Sequence, residues 1–336
     1  MMDYPVIWFL LIAILFTGFF LLEGFDYGVG MLAPLLSDRE EDRSLILRTI
    51  GPVWDGNEVW MITAGGALFA AFPHVYATMF STFYLALFLM LVALILRGVA
   101  FELRTKEKCL CWQKMWDAAI FIGSIVPAFL WGVAVTDLAA GLPIGANMVY
   151  QGNFLDLLSP YSLCGGLVFV LVFAYHGAAF LQLRLMDKGL LYRVQNLGKC
   201  AGIGGAMAYV LYLLLTMENT TLLARPCALG LFIATAVFFL ASLYRFSHKP
   251  GKGSFILGAL AVASVTLGFF TGMFPRLMVS SLNPAWNLTI TNAASTEYTL
   301  SIMTVAAFVM VPIVLVYQIW TYYIFRQRVT ADDISH

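Results

Sequence analysis

Long apolar stretches dominate this chain and restrict it to one kind of solvent. A helix needs about 20 apolar residues to cross the hydrocarbon core of a bilayer. Nine stretches approach or exceed that length, at approximately residues 6–36, 56–73, 75–101, 116–138, 160–186, 199–217, 225–246, 254–274 and 299–325. Because 61% of the 336 residues are hydrophobic and only 11% are charged, too little polar surface remains to cover a soluble globule. The sequence predicts an all-α, polytopic membrane protein with about nine transmembrane helices.

The order of the stretches favours two four-helix bundles followed by one peripheral helix. We treat residues 1–336 as a single integral membrane domain, with pseudo-repeats over about 1–140 and 155–275 and a ninth helix over about 299–325. His176 lies about as deep along the fifth stretch as Glu23 and Asp26 lie along the first, which suggests the repeat. No convincing sequence identity links the two halves.

Basic residues accumulate in alternating connections between the stretches. Of the 19 lysine and arginine residues, 17 fall at one end of the predicted helices, and only Arg225 and Arg276 fall at the other. Cytoplasmic connections carry such an excess, so we predict an N-terminus outside and a cytoplasmic C-terminus. The formal net charge of zero gives no reason to expect a nucleic-acid partner. The first stretch lacks a small-residue cleavage site behind it and is expected to be a retained helix.

Four carboxylates lie inside or at the edge of the first two apolar stretches. Glu23 and Asp26 are spaced i, i+3, as are Asp55 and Glu58, so each pair lies on one helix face. At about 1.5 Å per residue, Glu23 lies about 26 Å and Asp26 about 30 Å along the first helix. All four acids are thus expected toward the cytoplasmic side, with Arg97 as their electrostatic partner. Acids inside a membrane indicate a route for protons or cations, since an ionised carboxylate there costs about 3 kcal/mol on insertion scales.

Other interpretations of these acids remain open. Asp55, Asn57 and Glu58 could be capping and first-turn residues of the second helix, where the helix dipole favours acids. Buried acids on adjacent helices would equally suit a secondary transporter or a cation channel, although transporters more often carry their charges near the midplane. In a third interpretation, the chain is purely an assembly partner and the acids form a buried salt-bridge network around Arg97.

The residues around these acids resemble subunit II of the cytochrome bd-type quinol oxidases. The resemblance is densest in Gly24-Phe25-Asp26-Tyr27-Gly28-Val29-Gly30 and in residues 54–73, which begin Trp54-Asp55-Gly56-Asn57-Glu58-Val59-Trp60. It continues through Arg97, Met115-Trp116-Asp117, Gly152-Asn153-Phe154 and Met273-Phe274-Pro275. It extends over nearly the whole chain and includes the nine-helix layout and the N-out orientation.

The resemblance implies a heterodimer in a bacterial cytoplasmic (inner) membrane. In that family subunit I carries the quinol site, two b-type haems and the haem d that reduces oxygen to water, and subunit II carries no haem ligand. We therefore expect subunit I, quinol and membrane lipid as partners, and no cofactor or metal bound by this chain itself. The resemblance also allows for a small third subunit. Counterparts of Asp26 and Asp55 belong to the family's cytoplasmic proton route, and relatives often have aspartate where this chain has Glu23.

Several other residues have candidate polar or interface roles. Trp54 and Trp60 suit interfacial anchors or contacts with a quinone or partner. Asp117 is expected to open the fourth helix, as a cap or as a relay member. His176 is the only histidine inside a predicted helix, and haem ligation, a proton relay and structural hydrogen bonding all remain open for it. The other histidines are His74 in a turn, and His248 and His336 at the cytoplasmic side.

The five cysteines are scattered, and only Cys109 and Cys111 lie close together. Their C-x-C spacing falls in a basic connection on the predicted cytoplasmic side. Metal binding is one interpretation of this pair, but we favour ordinary reduced thiols, because the cytoplasm keeps thiols reduced.

Overall fold

The computed structural model describes residues 3–329 and is almost entirely helical. His336, predicted in the cytoplasmic tail, lies outside the described residues. The helices are α1 (Tyr4–Leu36), α2 (Glu40–Arg48), α3 (Trp54–Ala71), α4 (Pro73–Thr82), α5 (Tyr84–Leu103), α6 (Leu110–Ala140), α7 (Pro160–Arg184), α8 (Lys188–Asn219), α9 (Pro226–His248), α10 (Lys252–Met273) and α11 (Glu297–Ile324). Two short strands, β1 (Arg276–Met278) and β2 (Leu288–Thr289), pair antiparallel between α10 and α11.

Eight of the described helices are long and apolar enough to cross a membrane: α1, α5, α6, α7, α8, α9, α10 and α11. The fold class is thus confirmed as an all-α polytopic membrane protein. The predicted second span corresponds to α3, which has 18 residues and is not among the eight. Its first turns carry Asp55, Asn57 and Glu58, and these polar residues lower the mean hydropathy of the helix. α3 nevertheless packs along α1.

The predicted third span, residues 75–101, is divided into two helices at Phe83. Thr78 Oγ1 lies 2.9 Å from the carbonyl oxygen of His74 and 2.6 Å from that of Met148, which share its single proton, and Thr82 Oγ1 donates to the carbonyl oxygen of Thr78. Hydroxyl bonds to carbonyls one turn earlier often bend a helix. The expectation of one continuous helix here was therefore wrong, because apolar length does not reveal such a break.

Two helices begin well before the apolar stretch that predicted them. α6 begins at Leu110 and α8 begins at Lys188, where Asp187 caps the first turn by accepting from the Leu190 N–H at 2.7 Å. These early segments contain basic residues, Lys114 in α6 and Lys188 and Arg193 in α8, and they precede the apolar stretches. Asp117 therefore lies two turns inside α6, and the prediction that it opens or caps this helix was wrong.

α1 occupies the centre of the bundle and packs against α3, α6, α7 and α10. Its closest approach is to α7, where Gly28 faces Gly177. A Cβ on Gly177 would lie 2.6 Å from the Cα of Gly28, so only glycine permits this helix contact. Because α1 packs against helices of both halves, the two four-helix bundles stay a prediction.

The two ends of the bundle differ in their charge and in the segments that cover them. We call the end formed by the connections after α1, α5, α7 and α9 the basic end, because most of the lysine and arginine residues lie there. The opposite end is covered by residues 142–151 and the β1–β2 pair, joined by a bridge between Leu142 and Ser280. α11 lies at the periphery, and Leu300 is its only buried residue among those described.

Candidate functional site

Three helices bring five polar side chains together in the half of the bundle nearer the basic end. α1 supplies Glu23 and Asp26, α3 supplies Asn57 and Glu58, and α5 supplies Arg97. Glu23, Asp26, Asn57 and Arg97 are each 0% exposed, and the Glu58 side chain is 20% exposed. The structure thus brings Glu23, Asp26, Glu58 and Arg97 together, as the sequence suggested from their depth. We call these five side chains the acid cluster.

Arg97 joins two of the acids. Its Nη1 donates to Glu23 Oε1 and to Glu58 Oε1, the latter at 3.2 Å. The guanidinium lies over the Tyr27 ring, 4.8 Å from the ring centroid, an arrangement that adds cation–π attraction. Glu23 and Glu58 therefore share one buried positive charge, which is the salt-bridge network considered among the alternatives.

Asp26 is held differently from the other two acids. Its Oδ2 accepts a hydrogen bond from Asn57 Nδ2 at 2.6 Å. Among residues 3–329, Oδ1 has no hydrogen-bond partner, and no lysine, arginine or histidine lies within 4.0 Å of the carboxylate. Asp26 is therefore a buried acid that is hydrogen-bonded but not ion-paired.

Asn57 is itself held by the peripheral helix α11. Its Oδ1 accepts from Gln318 Nε2 at 3.1 Å and from Tyr322 Oη at 2.8 Å. Sequence reasoning missed both of these residues. They lie about 260 positions from Asn57 in an apolar helix, and nothing in the linear pattern connects the two segments.

Asp55 stands apart from the acid cluster. It lies in the first turn of α3, is exposed, and makes no side-chain hydrogen bond or ion pair within the described part of the chain. The N-cap position of α3 is Val53 and has no side-chain capping bond. The capping interpretation is therefore wrong for Asn57 and Glu58, which face α1 and α5 instead, whereas Asp55 is a first-turn acid.

The two tryptophans beside the cluster both pack within this chain. Trp54 stacks on Phe101 with ring centroids 4.9 Å apart. Trp60 covers Gly18 of α1 so closely that a Cβ there would lie 3.1 Å from Trp60 Cδ2. Both rings thus help to fix α3 against α1 and α5.

His176 is the most deeply placed candidate for holding a metal or a haem iron. It is 1% exposed, its Nε2 lies 3.2 Å from the carbonyl oxygen of Leu21, and its ring stacks on Phe255 with centroids 4.8 Å apart. This environment provides structural hydrogen bonding between α7 and α1. Cys109 and Cys111 are exposed free thiols, and the described residues contain no group of three or more metal-ligating side chains.

A second charged network lies at the basic end and includes Asp117. Its Oδ1 accepts from Arg104 Nε at 2.6 Å, and its Oδ2 lies 2.9 Å from Arg43 Nε without hydrogen-bond geometry. Arg104 also binds Glu40 at 2.6 Å and Ser44 at 2.8 Å. Arg104 is 3% exposed, because α2 folds back over it. Asp117 therefore fastens α2 to α5 and α6.

Asp42 on α2 contributes to the same fastening. Burial tends to raise the pKa of this carboxyl, but hydrogen bonds from Ser37 at 2.7 Å and Arg193 at 3.0 Å outweigh it and lower the pKa below 3.8. The stability that Asp42 contributes is complete above pH 3.8 and is lost as the pH falls through the lower folded pKa. Neutral pH therefore keeps α2 attached.

Replacing Asp117 by leucine is expected to destabilise the protein by about 3–5 kcal/mol, because two buried arginines lose their carboxylate. The measurement is the free energy of unfolding of the detergent-purified protein. Glu41→Gln is the matched control on α2, since the Glu41 side chain is 78% exposed and should change stability by less than about 0.5 kcal/mol. Equal stability of the two variants would contradict this role for Asp117.

A further buried acid, Asp137, was not singled out from the sequence. It lies near the end of α6 away from the basic end, is 4% exposed, and accepts from Ser162 Oγ in the first turn of α7. Ser162 in turn bonds Ser159, the N-cap of α7. Asp137 thus reinforces the N-terminus of α7, where the helix dipole favours a negative charge.

The sequence of this chain matches a known protein family over nearly its whole length. The family model described as cytochrome bd terminal oxidase subunit II matches residues 4–325. The chain belongs to this family. The resemblance found in the motifs around Asp26 and Asp55 is thereby confirmed.

Individual relatives of this subunit II align over nearly their whole length. The cytochrome bd ubiquinol oxidase subunit 2 of Bacillus subtilis is 41% identical over 331 residues, covering 97% of each chain. The cytochrome bd-I ubiquinol oxidase subunit 2 of Escherichia coli is 35% identical over 378 aligned positions, covering 100% of this chain and 98% of that protein. One chain in the solved structure of the bd oxidase from Geobacillus thermodenitrificans has the same fold, with a TM-score of 0.77 at 16% identity and coverage of 96% of this chain and 97% of that one.

Proposed function

We propose that this subunit II pairs with a haem-bearing subunit I and conducts protons from the cytoplasm toward the oxygen-reducing haem d. Membership in the family supports a complex with subunit I, and the related B. subtilis and E. coli proteins are named as subunits of ubiquinol oxidases. The substrate of the complex would be a quinol, and its protons for water formation would pass through this chain. The buried, unpaired state of Asp26 is the observation that carries the proposal.

Asp26 is suited to carry a proton because it is not committed to an ion pair. Protonation of Glu23 or Glu58 would break an interaction with Arg97, which has no comparable replacement among the described residues. Asp26 has one oxygen bound to Asn57, and the other has no partner within residues 3–329. Such a carboxyl can gain or release a proton without breaking a salt bridge, and buried groups of this kind are typical of proton relays.

The acids also become more deeply buried from the start of α3 toward α1. Asp55 is exposed at the start of α3, the Glu58 side chain one turn later is 20% exposed, and Glu23 and Asp26 are 0% exposed. Tyr27 Oη and Arg97 Nη2 are buried polar atoms without partners among the described residues, as expected of groups that face internal water. A proton entering at Asp55 would thus meet polar groups up to Asp26. The positive-inside rule supports assigning the basic end, and with it the entry, to the cytoplasm.

We propose that both b-type haems and haem d belong to subunit I. The packing of His176 supports this assignment, because an axial ligand needs a free ring nitrogen facing a pocket that fits the macrocycle. Here Nε2 lies on the Leu21 carbonyl and one ring face is covered by Phe255. Nδ1 has no hydrogen-bond partner among the described residues, but it faces α10, where a Cβ on Gly258 would lie 3.3 Å from it. Haem d would supply oxygen reduction when bound in subunit I, while the residues of this chain hold and move protons.

The alternative functions are less well supported. A secondary transporter or cation channel is not favoured by the family assignment. A purely structural role accounts for Glu23, Glu58 and Arg97 but not for Asp26, whose carboxylate stabilises no cation within salt-bridge distance. Lipid and a small third subunit remain proposed partners.

Co-expression with subunit I tests the pairing and the haem assignment together. We expect a tag on this chain to retain subunit I at a 1:1 ratio, with a haem d band in the reduced-minus-oxidised spectrum. His176→Gln, which keeps hydrogen-bonding groups at the site, should leave the ratio of haem b to haem d unchanged. Loss of one haem at an unchanged subunit ratio would show that His176 of this chain is a haem ligand. Absence of both a partner and a haem d band would refute the proposal.

A further inference from the structure

α11 contacts the rest of the chain in a few polar places rather than through a buried apolar face. At the end away from the basic end, Trp8 Nε1 donates to Thr304 Oγ1 at 3.0 Å. At the basic end, Arg184 donates to the carbonyl oxygen of Phe325. Between them, Gln318 and Tyr322 reach Asn57. Polar side chains in a membrane helix are costly unless they are bonded, so this inward pair calls for an explanation.

Gln318 and Tyr322 both form hydrogen bonds with the same atom, Asn57 Oδ1. Gln318 and Tyr322 are i, i+4 on α11 and therefore share a face. Both donate to Asn57 Oδ1, at 3.1 Å and 2.8 Å, and this carbonyl oxygen can only accept. Both lone pairs of the oxygen are occupied on the α11 side, and the amide nitrogen faces the opposite way.

The opposite direction leads to Asp26. Asn57 Nδ2 donates to Asp26 Oδ2 at 2.6 Å, and this is the hydrogen bond that holds the carboxylate. If the amide turned over, its oxygen would face the carboxylate oxygen and repel it. The two hydrogen bonds from α11 and the hydrogen bond to Asp26 therefore stabilise the same orientation of the Asn57 amide.

We infer that Gln318 and Tyr322 are positioning residues for Asp26, acting through the amide of Asn57. Neither side chain hydrogen-bonds the carboxylate or the acids paired with Arg97, so both reach Asp26 through Asn57. The peripheral helix thereby becomes part of the proton-conducting machinery. This inference rests on the proposed role of Asp26 in proton conduction.

The test uses the complete oxidase complex with Tyr322→Phe, Gln318→Leu and the double variant. Tyr322→Phe removes only a hydroxyl group, and each single variant leaves one donor on Asn57. We expect a small fall in kcat for each single variant and a fall of about tenfold for the double variant, as for the loss of hydrogen bonds to a buried group. The KM for quinol and the haem content should stay unchanged. The solvent deuterium isotope effect on kcat should rise, because proton delivery becomes slower than the other steps.

Matched controls lie on the same helix. Tyr317 and Tyr323 are 61% and 63% exposed, so Tyr317→Phe and Tyr323→Phe should leave kcat and the isotope effect unchanged. A double variant with wild-type kcat would overturn the inference if Asp26→Asn is inactive. A fall in kcat that is matched by lost haem, or that leaves the isotope effect unchanged, would show a merely structural role and also overturn it. Full activity of Asp26→Asn would instead refute the proton route on which the inference depends.

Discussion

Asp26→Asn is expected to lower quinol oxidase turnover by about 100-fold in a complex that keeps its full haem content. Asparagine has nearly the same size and can bond Asn57, but it cannot carry a proton at neutral pH. A loss of this size is typical when a positioned proton-transfer group is removed. The measurement is oxygen consumption with excess quinol, normalised to haem d from the reduced-minus-oxidised spectrum.

Two other acids near the basic end provide the comparison for Asp26→Asn. Asp38→Asn changes an exposed acid outside the acid cluster and should leave turnover unchanged. Asp55→Asn changes the acid that we propose at the entry, so turnover should fall, but less than for Asp26→Asn because water can partly replace an exposed group. Wild-type turnover of a fully haem-loaded Asp26→Asn complex would refute the proton route, and wild-type turnover of Asp55→Asn would remove Asp55 from it.

Arg97→Met is expected to destabilise the protein by about 3–5 kcal/mol, the second large effect. Methionine fills much of the same volume but leaves Glu23 and Glu58 without their shared cation, and an unpaired buried charge is costly. The change should appear as a lower free energy of unfolding of the purified complex and as reduced yield in the membrane.

A double-mutant cycle separates the ion pair from the packing of the long Arg97 side chain. Glu23→Gln in the Arg97→Met background should recover part of the lost stability, because it removes the charge left uncompensated. Gly230→Ala is the control, because it changes a helix residue whose added methyl group has open space. Apart from adjacent residues and the nearby backbone of the same helix, no described heavy atom lies within 4 Å of a Cβ built there. Strictly additive effects of Arg97→Met and Glu23→Gln would mean that the two side chains do not stabilise each other.

Much of the acid cluster could be expected from the sequence. Glu23 and Asp26 share a helix face because of their spacing, and the helix rise brings them to the depth of α3 and Arg97. The same reasoning could not separate Asp55 from Glu58, which differ by less than one turn. Which of them faces α1 and α5 depends on the rotation of α3 about its axis, and that rotation is set by contacts such as Trp60 on Gly18.

Apolar length predicted a helix boundary correctly where the helix ends with its apolar stretch. The prediction was wrong where additional turns extend the helix beyond that stretch. The early start of α8 depends on the Asp187 cap, and the break at Phe83 accompanies hydroxyl bonds that add little to hydropathy. α6 begins without a side-chain cap and before its apolar stretch, so hydropathy does not reveal its start. For the same reason Asp117 was placed at a helix start when it lies inside α6. Its real partners, Arg43 and Arg104, come from two other helices.

The sequence by itself determined the solvent, the helical class, the family and the presence of acids at one depth. These properties depend on composition, on spacing along a single helix and on local motifs, all of which are linear. Only the tertiary structure decided that Arg97 neutralises Glu23 and Glu58 but leaves Asp26 unpaired, and that α11 reaches Asn57. These pairings join segments up to about 260 residues apart, and they depend on how whole helices rotate and pack against one another.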